Sequence, residues 1–252
     1  MKLYGLIGKS LKHSASPAIY QQIFDREERT DCHYALFELA AMEELPRLLE
    51  THPELQGFNV TFPYKELIIP YLDHLDQAAE EIGAVNVVTV ERSTGKILLT
   101  GYNSDWVGFS ESLTGEMLPD RALILGTGGA ARAVAYALRK REVACQFVSR
   151  SGKEGALRYE DVSDELMRAH HLIVNCTPLG TAGLHENELP PLPYQALTSH
   201  HHLYDLVYNP AVTPFLQQGI EHGCRIQNGM AMLHAQAVLA WQWFKGKMTN
   251  VE

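Results

Sequence analysis

What the sequence has little of narrows its function first. Cysteine is sparse. Cys32, Cys145, Cys176 and Cys224 stand far apart with no C-x-x-C pair, which excludes a disulfide framework and a cysteine zinc site and fits reduced thiols. Positive charge is in deficit: the net charge of −9 argues against a nucleic-acid binder, which carries a basic patch or a high pI. It leaves room for a small anionic ligand held by local lysines, arginines or helix starts. Long apolar runs are missing as well. None approaches the ~18 residues of a membrane span, and the run in "MKLYGLIGKS" breaks at Lys9 before reaching signal-peptide length. A cytoplasmic chain with no membrane partner is expected. Histidines cluster at His170-His171 and His200-His201-His202 without H-E-x-x-H or comparable spacing. Adjacent side chains entering a strand point to opposite sides, so these read as solvated loop histidines and no metal is expected.

What is present is an ordinary core composition. With 46% hydrophobic and 20% charged among 252 residues, the chain has material for one large or two small domains. "KLYGLIG" reads as a strand, "SPAIYQQIFDRE" as a helix and "CHYALFEL" as a strand. "MEELPRLLETH" reads as a helix, "GFNVTFP" as a third strand and "KELIIPYLDHLDQAAEEIG" as a helical region broken at Pro70. Such alternation implies βαβ units and a mostly parallel sheet. Two β runs around Ser93-Thr94-Gly95-Lys96 signal a hairpin. A second βαβ series starts after "TGEMLPDR", with "ALILG", "GAARAVAYALRKRE" and "ACQFVSR", and "LIVNCTP" and "HLYDLVYNP" as later strands. The last stretch, "MLHAQAVLAWQWFKGK", has helical spacing with Trp241 and Trp243 in its core face. The break between the series falls near Asn103 to Ser110.

Three constellations carry chemistry. In "LILGTGGAARAVAYAL", Gly126, Gly128 and Ala131 fill the slots of G-x-G-x-x-G/A after a strand and at a helix start, the context a dinucleotide fingerprint requires. At the end of the next strand an NAD site has an acid for the ribose. Here the residues are Ser149, Arg150, Ser151 and Lys153, with no acid before Glu154. A guanidinium fork with flanking hydroxyls suits the 2′-phosphate of NADP. The second constellation is "KHSASPAIY", where Ser16 before Pro17 reads as an N-cap with proline at the first helical position; Ser14 adds a second hydroxyl. The site reads as a plain cap or as a hold for an anion. The third is Lys65 with Asp105. Lys65 follows a strand's C-terminal end, where open α/β sheets bind ligands, and reads as a surface lysine or a functional one. Asp105, at a loop-to-helix start, reads as an N-cap or as a catalytic acid.

Taken together, the motifs resemble the shikimate dehydrogenase family from end to end. The family's H-S-x-S-P is His13 to Pro17, its N-V-T-x-P-x-K is Asn59 to Lys65, and its G-A-V-N is Gly83 to Asn86. G-x-N-[TS]-D-x-x-G runs from Gly101 to Gly108, G-x-G-G-A-[AS]-R from Gly126 to Arg132, and V-N-x-T-P-x-G from Val174 to Gly180. D-x-V-Y-x-P is Asp205 to Pro210 and M-L-x-x-Q is Met232 to Gln236. Departures are small: Thr127 for alanine, Ser149 for asparagine, Val87 for threonine and Ala231 for glycine.

The resemblance implies an α/β fold. An N-terminal α/β substrate domain (1–103 and 230–252) is completed by the C-terminal helix, and an NADP-binding Rossmann domain (104–229) is inserted. It implies NADPH-dependent reduction of 3-dehydroshikimate to shikimate. By the same resemblance Ser14 and Ser16 hold the substrate carboxylate. Asn59, Thr61, Asn86, Tyr208 and Gln236 bind ring hydroxyls or line the substrate pocket. Gly126, Thr127, Gly128, Gly129 and Ala130 cradle the cofactor, with Ser149, Arg150 and Ser151 at its 2′-phosphate and Leu206 and Gly229 near the nicotinamide half. Lys65 is assigned as general acid/base, oriented by Asp105. A small-molecule substrate and a monomer or homodimer are expected. Two other readings stay open: a quinate/shikimate dehydrogenase of broader specificity, and a catalytically silent NADP-sensing protein on the same fold.

Overall fold

The structure, a computed structural model, describes residues 1–12, 14–93, 95–113, 117–152 and 155–246. His13 of the serine motif, Thr94 of the hairpin turn, Thr114 to Glu116, Lys153 and Glu154 lie outside the described residues. Two compact units emerge, Met1–Val107 with His234–Glu252, and Gly108–Leu233.

The first unit contains β1 (Lys2–Gly8), α1 (Ser16–Arg26), β2 (Cys32–Glu38), α2 (Leu45–Thr51), β3 (Leu55–Val60) and α3 (Tyr64–Leu67). It continues through β4 (His74–Leu75), α4 (Gln77–Ile82), β5 (Val87–Ser93), β6 (Lys96–Tyr102) and the first turn of α5 (Asp105–Ser112). Its sheet runs β2-β1-β3-β5-β6-β4. The βαβ steps make β2, β1 and β3 parallel, and the hairpin adds β5 and β6 antiparallel. β1 and β3 are buried along almost their whole length, as central strands covered on both faces must be. Ile7, Phe58 and Val60 anchor the core between them.

The third strand stops at Val60, earlier than the apolar run through Phe62 and Pro63 implies. The chain turns because the Thr61 N–H reaches the Ile7 carbonyl and the Tyr64 N–H folds back to the Thr61 carbonyl. Phe62 is left 81% exposed.

The second unit carries the rest of α5, then β7 (Arg121–Leu125), α6 (Gly129–Arg139), β8 (Ala144–Ser149), β9 (Leu157–Arg158) and α7 (Asp164–Ala169). β10 (Leu172–Asn175), β11 (His202–Asp205), α8 (Pro214–Glu221), β12 (Arg225–Asn228) and the start of α9 (Met230–Phe244) follow. Every pairing in its sheet is parallel. The order β12-β11-β10-β7-β8-β9, counted from β7 as first, is the 3-2-1-4-5-6 order of the doubly wound dinucleotide fold.

Most of α9 packs in the first unit. Trp241 is 1% exposed and meets Tyr4 and Phe24 edge-on at 5.2 and 5.1 Å. Trp243 stacks on Tyr102 at 4.8 Å. The compact units divide inside α5 and α9 rather than ahead of them, so Ser104 and Asp105 pack with the first unit.

His171 and His200 are exposed, as expected, but His170, His201 and His202 depart from expectation. His170 and His201 are 6% and 1% exposed. His170 Nδ1 meets the Leu166 carbonyl at 2.8 Å, and the His201 ring nitrogens meet Thr198 and the Met167 carbonyl. They cap loop ends inside the second unit, because a buried imidazole needs partners for both nitrogens. Burial pushes His202 down to about 4. Among the described residues no group of three or more His, Cys, Asp and Glu could hold a metal, and no helix is long and apolar enough to cross a membrane.

Candidate active site

Lys65 lies in α3, directly after the turn that ends β3. Its Nζ donates to Asp105 Oδ2 at 2.5 Å, with side-chain exposures of 18% and 7%. Charge-assisted bonds of this kind are the strong ones, and removing one partner leaves the other charge poorly solvated. Of the two readings left open for Asp105, capping falls to another residue. Asn103 Oδ1 accepts the N–H groups of Asp105 and Trp106 at 3.0 and 3.4 Å, while its amide nitrogen donates to the Ala84 carbonyl. The Asp105 carboxylate is thereby free of the helix start and faces Lys65. A carboxylate in the first turn of a helix is also favoured by the helix dipole.

Asn86, 3% exposed, holds the other carboxylate oxygen. Its amide nitrogen donates to Asp105 Oδ1 at 2.8 Å and to Ser104 Oγ at 2.9 Å, and its Oδ1 accepts the Ser104 N–H at 2.7 Å. Both N–H donors of Asn86 are therefore used inside the protein. Ser104 Oγ also meets Gln236 Oε1 at 3.3 Å. From the other side Asn59 donates to the Asn86 carbonyl and receives the hydroxyls of Tyr20 and Tyr34. Ser16 lies near enough to pull the Tyr34 phenol down a little against the upward push of burial. One hydrogen-bonded chain thus joins Asn59, Asn86, Asp105, Lys65 and Gln236. Thr61 sits one residue beyond the end of β3 and two beyond Asn59.

The serine pair differs from the sequence expectation in detail. The helix begins at Ser16, so Ala15 occupies the N-cap and Pro17 the second position. Ala15 has no side chain that could close the helix start, and Ser16 is not its cap. Instead Ser14 Oγ accepts the Ser16 N–H at 3.2 Å. Both serines are half-buried.

The second unit holds the glycine-rich turn. Gly126 follows β7 at φ +107, a backbone conformation that side chains rarely adopt, and its Cβ position lies 3.4 Å from the Cys176 carbonyl oxygen. The turn therefore lies where β7 and β10 diverge, the switch point at which such sheets bind ligands. Thr127, Gly129 and Ala130 complete it. α6 starts from Gly128 with no side-chain cap and no acid in its first turn, and a Cβ on Gly128 would meet no heavy atom within 4 Å. A helix start with no side-chain cap and open space beside its first glycine fits a pyrophosphate. At the end of β8, Ser149 Oγ accepts the Gly152 N–H at 3.1 Å and keeps its own O–H to donate. Arg150 and Ser151 are exposed, and no ion pair holds Arg150 among the described residues. Arg150 is thus available for a phosphate.

Leu206 and Gly229 are brought together. A Cβ on Gly229 would overlap the Leu206 carbonyl, so only glycine allows that approach. Tyr208 is half-buried two residues on. The loop carrying Leu206 and Tyr208 hangs on Asp205, which is fully buried. Its carboxylate accepts Thr213 Oγ1 at 2.6 Å, Asn175 Nδ2 at 3.0 Å and the Val207 N–H at 3.0 Å. Burial pushes this carboxyl up from 3.8 to about 7, against the pull of those three bonds. The folded state then holds the proton more tightly than the unfolded chain. The resulting stability is complete below the ordinary value and is lost as pH rises through about 7. Asp205→Asn should flatten the decline in stability between about pH 4 and 7, read from denaturant melts across that range. An unchanged slope in the variant would assign the decline to other groups.

Comparison with known proteins agrees with this architecture. Residues 6–88 match the model of the shikimate dehydrogenase substrate binding domain. The chain is 37% identical to the shikimate dehydrogenase (NADP(+)) of Carboxydothermus hydrogenoformans, over 97% of this chain and 92% of that one. The chain belongs to the shikimate dehydrogenase family. Crystal structures of other shikimate dehydrogenases superpose on it throughout. That from Aquifex aeolicus gives a TM-score of 0.85 at 33% identity, covering 98% of this chain and 93% of the other. That from Thermus thermophilus, in complex with NADP(H) and shikimate, gives 0.83 at 32% identity, covering 99% and 95%. As in the family, an N-terminal α/β substrate domain is joined to a Rossmann-type domain.

Sequence reasoning missed Asn103, Ser104, Tyr20, Tyr34 and the anchoring role of Asp205. Asn103 and Ser104 stand inside "YNSD", where a short polar run before a helix could have marked a cap. Nothing local marks the tyrosines, whose partner Asn59 is 39 and 25 residues away.

Proposed function

We propose that this protein catalyses the reversible NADPH-dependent reduction of 3-dehydroshikimate to shikimate, a step of aromatic amino acid biosynthesis. The observation that carries the chemistry is the Lys65–Asp105 pair at 2.5 Å, held in a buried polar chain in a family of NADP-dependent oxidoreductases. NADPH would be held by the glycine-rich turn from Gly126 to Ala130, with Arg150, Ser149 and Ser151 at its 2′-phosphate, and would supply the hydride, leaving as NADP⁺. As the ketone is reduced, negative charge develops on its oxygen. The Lys65 ammonium donates the proton there, and a donor aimed at the developing charge lowers the barrier. Asp105, itself fixed by Asn86, keeps Lys65 on that line. In the reverse direction the same pair accepts the proton. Ser14 and Ser16 hold the carboxylate. Thr61, Asn59, Gln236 and Tyr208 contact the ring, Asn86 serves through Asp105, and Leu206 and Gly229 flank the nicotinamide.

The functional division we adopt is a substrate-binding domain of residues 1–103 with 230–252 and an NADP-binding domain of residues 104–229. The enzyme works in the cytoplasm as a monomer or homodimer, without nucleic acid or membrane.

Ser16→Ala should raise the shikimate KM by about 3- to 30-fold, since a hydrogen bond to a charged group is lost while Ser14 keeps part of the hold. Because Ser16 is not the N-cap of its helix, the melting temperature should stay level. A variant with wild-type KM would remove Ser16 from the carboxylate site.

The whole reading is tested by mixing the pure protein with NADPH and either 3-dehydroshikimate or 3-dehydroquinate and following NADPH absorbance. Rapid turnover of the first alone is expected. Comparable turnover of both would make it a quinate/shikimate enzyme, and turnover of neither would favour an NADP sensor.

A further inference from the structure

Tyr20 and Tyr34 belong to none of the motifs that carry the family resemblance, yet they sit against the site. Their rings stack at 4.0 Å with 11° between planes, and they are 1% and 7% exposed. Both hydroxyls end on a single atom, Asn59 Oδ1, each at 2.8 Å. Burial pushes both phenols far above their ordinary range, so each keeps its proton and remains a donor at any working pH. A carboxamide oxygen has two lone pairs, and the two tyrosines occupy both.

The other end of the amide is equally constrained. Asn59 Nδ2 stands 3.3 Å from the Asn86 carbonyl oxygen. A backbone carbonyl only accepts, so the nitrogen must face it. Flipping the amide would set oxygen against oxygen there. One N–H of Asn59 remains without a partner among the described residues, and Asn59 is 6% exposed. Ser16, a proposed carboxylate holder, lies near the Tyr34 hydroxyl, whose hydrogen bond goes to Asn59.

We infer that Tyr20 and Tyr34 are positioning residues that lock the Asn59 carboxamide as a hydrogen-bond donor to the substrate, making this corner of the pocket selective for a ligand oxygen that accepts. The inference rests on the functional reading above. An amide free to turn would serve a donor or an acceptor equally. A locked one rewards only the acceptor, and a site built to bond a hydroxyl rejects the analogue that lacks it.

The test uses Tyr20→Phe, Tyr34→Phe and the double variant, which keep the ring stack and remove only the hydroxyls, together with Asn59→Ala alone and combined with the double variant. For each, kcat and KM are measured with shikimate and with the three monodeoxy shikimates, beside a thermal melt. The double variant should raise the shikimate KM about tenfold, the size of a lost hydrogen bond or two, with kcat changed less. Its preference for shikimate over the deoxy analogue that wild type discriminates through Asn59 should shrink by a similar factor. In the Asn59→Ala background the tyrosine changes should add nothing, because effects passing through one group are not additive. The single variants carry the same comparison should the double variant fail to fold. A wild-type KM in the tyrosine variants, or a loss that persists undiminished in the Asn59→Ala background, would overturn the positioning role while leaving the dehydrogenase reading intact. A wild type silent toward shikimate would overturn both.

Discussion

Replacing Lys65 with alanine is expected to lower kcat by about 10²–10⁴-fold, the usual contribution of a positioned general acid/base. The loss should appear in kcat and kcat/KM together, which marks an interaction made in the transition state. KM for shikimate should move little, because the serines, Asn59 and Gln236 still hold the ring. Part of the loss comes from Asp105. With its partner at 2.5 Å removed and its own side chain 7% exposed, it becomes an anion with no cation beside it, next to the oxygen where negative charge develops. Asp105→Asn therefore supplies the control, since it removes the charge and retains a similar shape. If Lys65→Ala retains near wild-type kcat, the proton comes from elsewhere and the role given to the pair fails.

The second large effect concerns the choice of cofactor. Arg150 stands exposed at the end of β8, and only NADP carries the phosphate it is placed to meet. A charged hydrogen bond of ~1.5–3 kcal/mol corresponds to roughly 10- to 150-fold in affinity. Arg150→Ala should weaken NADP toward the lower part of that range, because solvent screens an exposed pair and Ser149 and Ser151 retain part of the contact. NAD should be nearly unaffected. Raising salt should weaken wild-type NADP binding more than NAD binding. The check is kcat/KM for both cofactors on wild type and variant at one ionic strength. Equal losses with both would mean that Arg150 serves the fold or the adenine.

Much of the architecture was legible because it rests on local periodicity. β1, α1, β2, the β5–β6 hairpin and the β7–α6–β8 series follow runs long enough to show a period. The elements that escaped are short or polar. β9 has two residues, α7 six, and β12 reads Arg-Ile-Gln-Asn at a sheet edge. The end of β3 was overrun because Phe62 continues the apolar pattern while the chain already folds back from Tyr64 onto the Thr61 carbonyl. The Ser16 cap was misplaced by one residue, within the ordinary ambiguity of helix ends.

The candidate site was legible in a different way. Lys65 and Asp105 are separated by 40 residues; the sequence set them side by side as candidates, and the resemblance gave them their joint acid–base role. The buried histidines were read as solvated because sequence spacing argues against a metal but says nothing about burial. Tyr20, Tyr34 and Asp205 act through contacts that the fold alone creates.

The most direct measurement supplies NADPH bearing deuterium at its transferable position, with 3-dehydroshikimate, to wild type and to Lys65→Ala, and follows the label by NMR. The account predicts shikimate with deuterium on the former ketone carbon, formed rapidly by wild type and about 10²–10⁴-fold more slowly by the variant. Shikimate without the label, or the same labelled product at equal rates from both proteins, would contradict it.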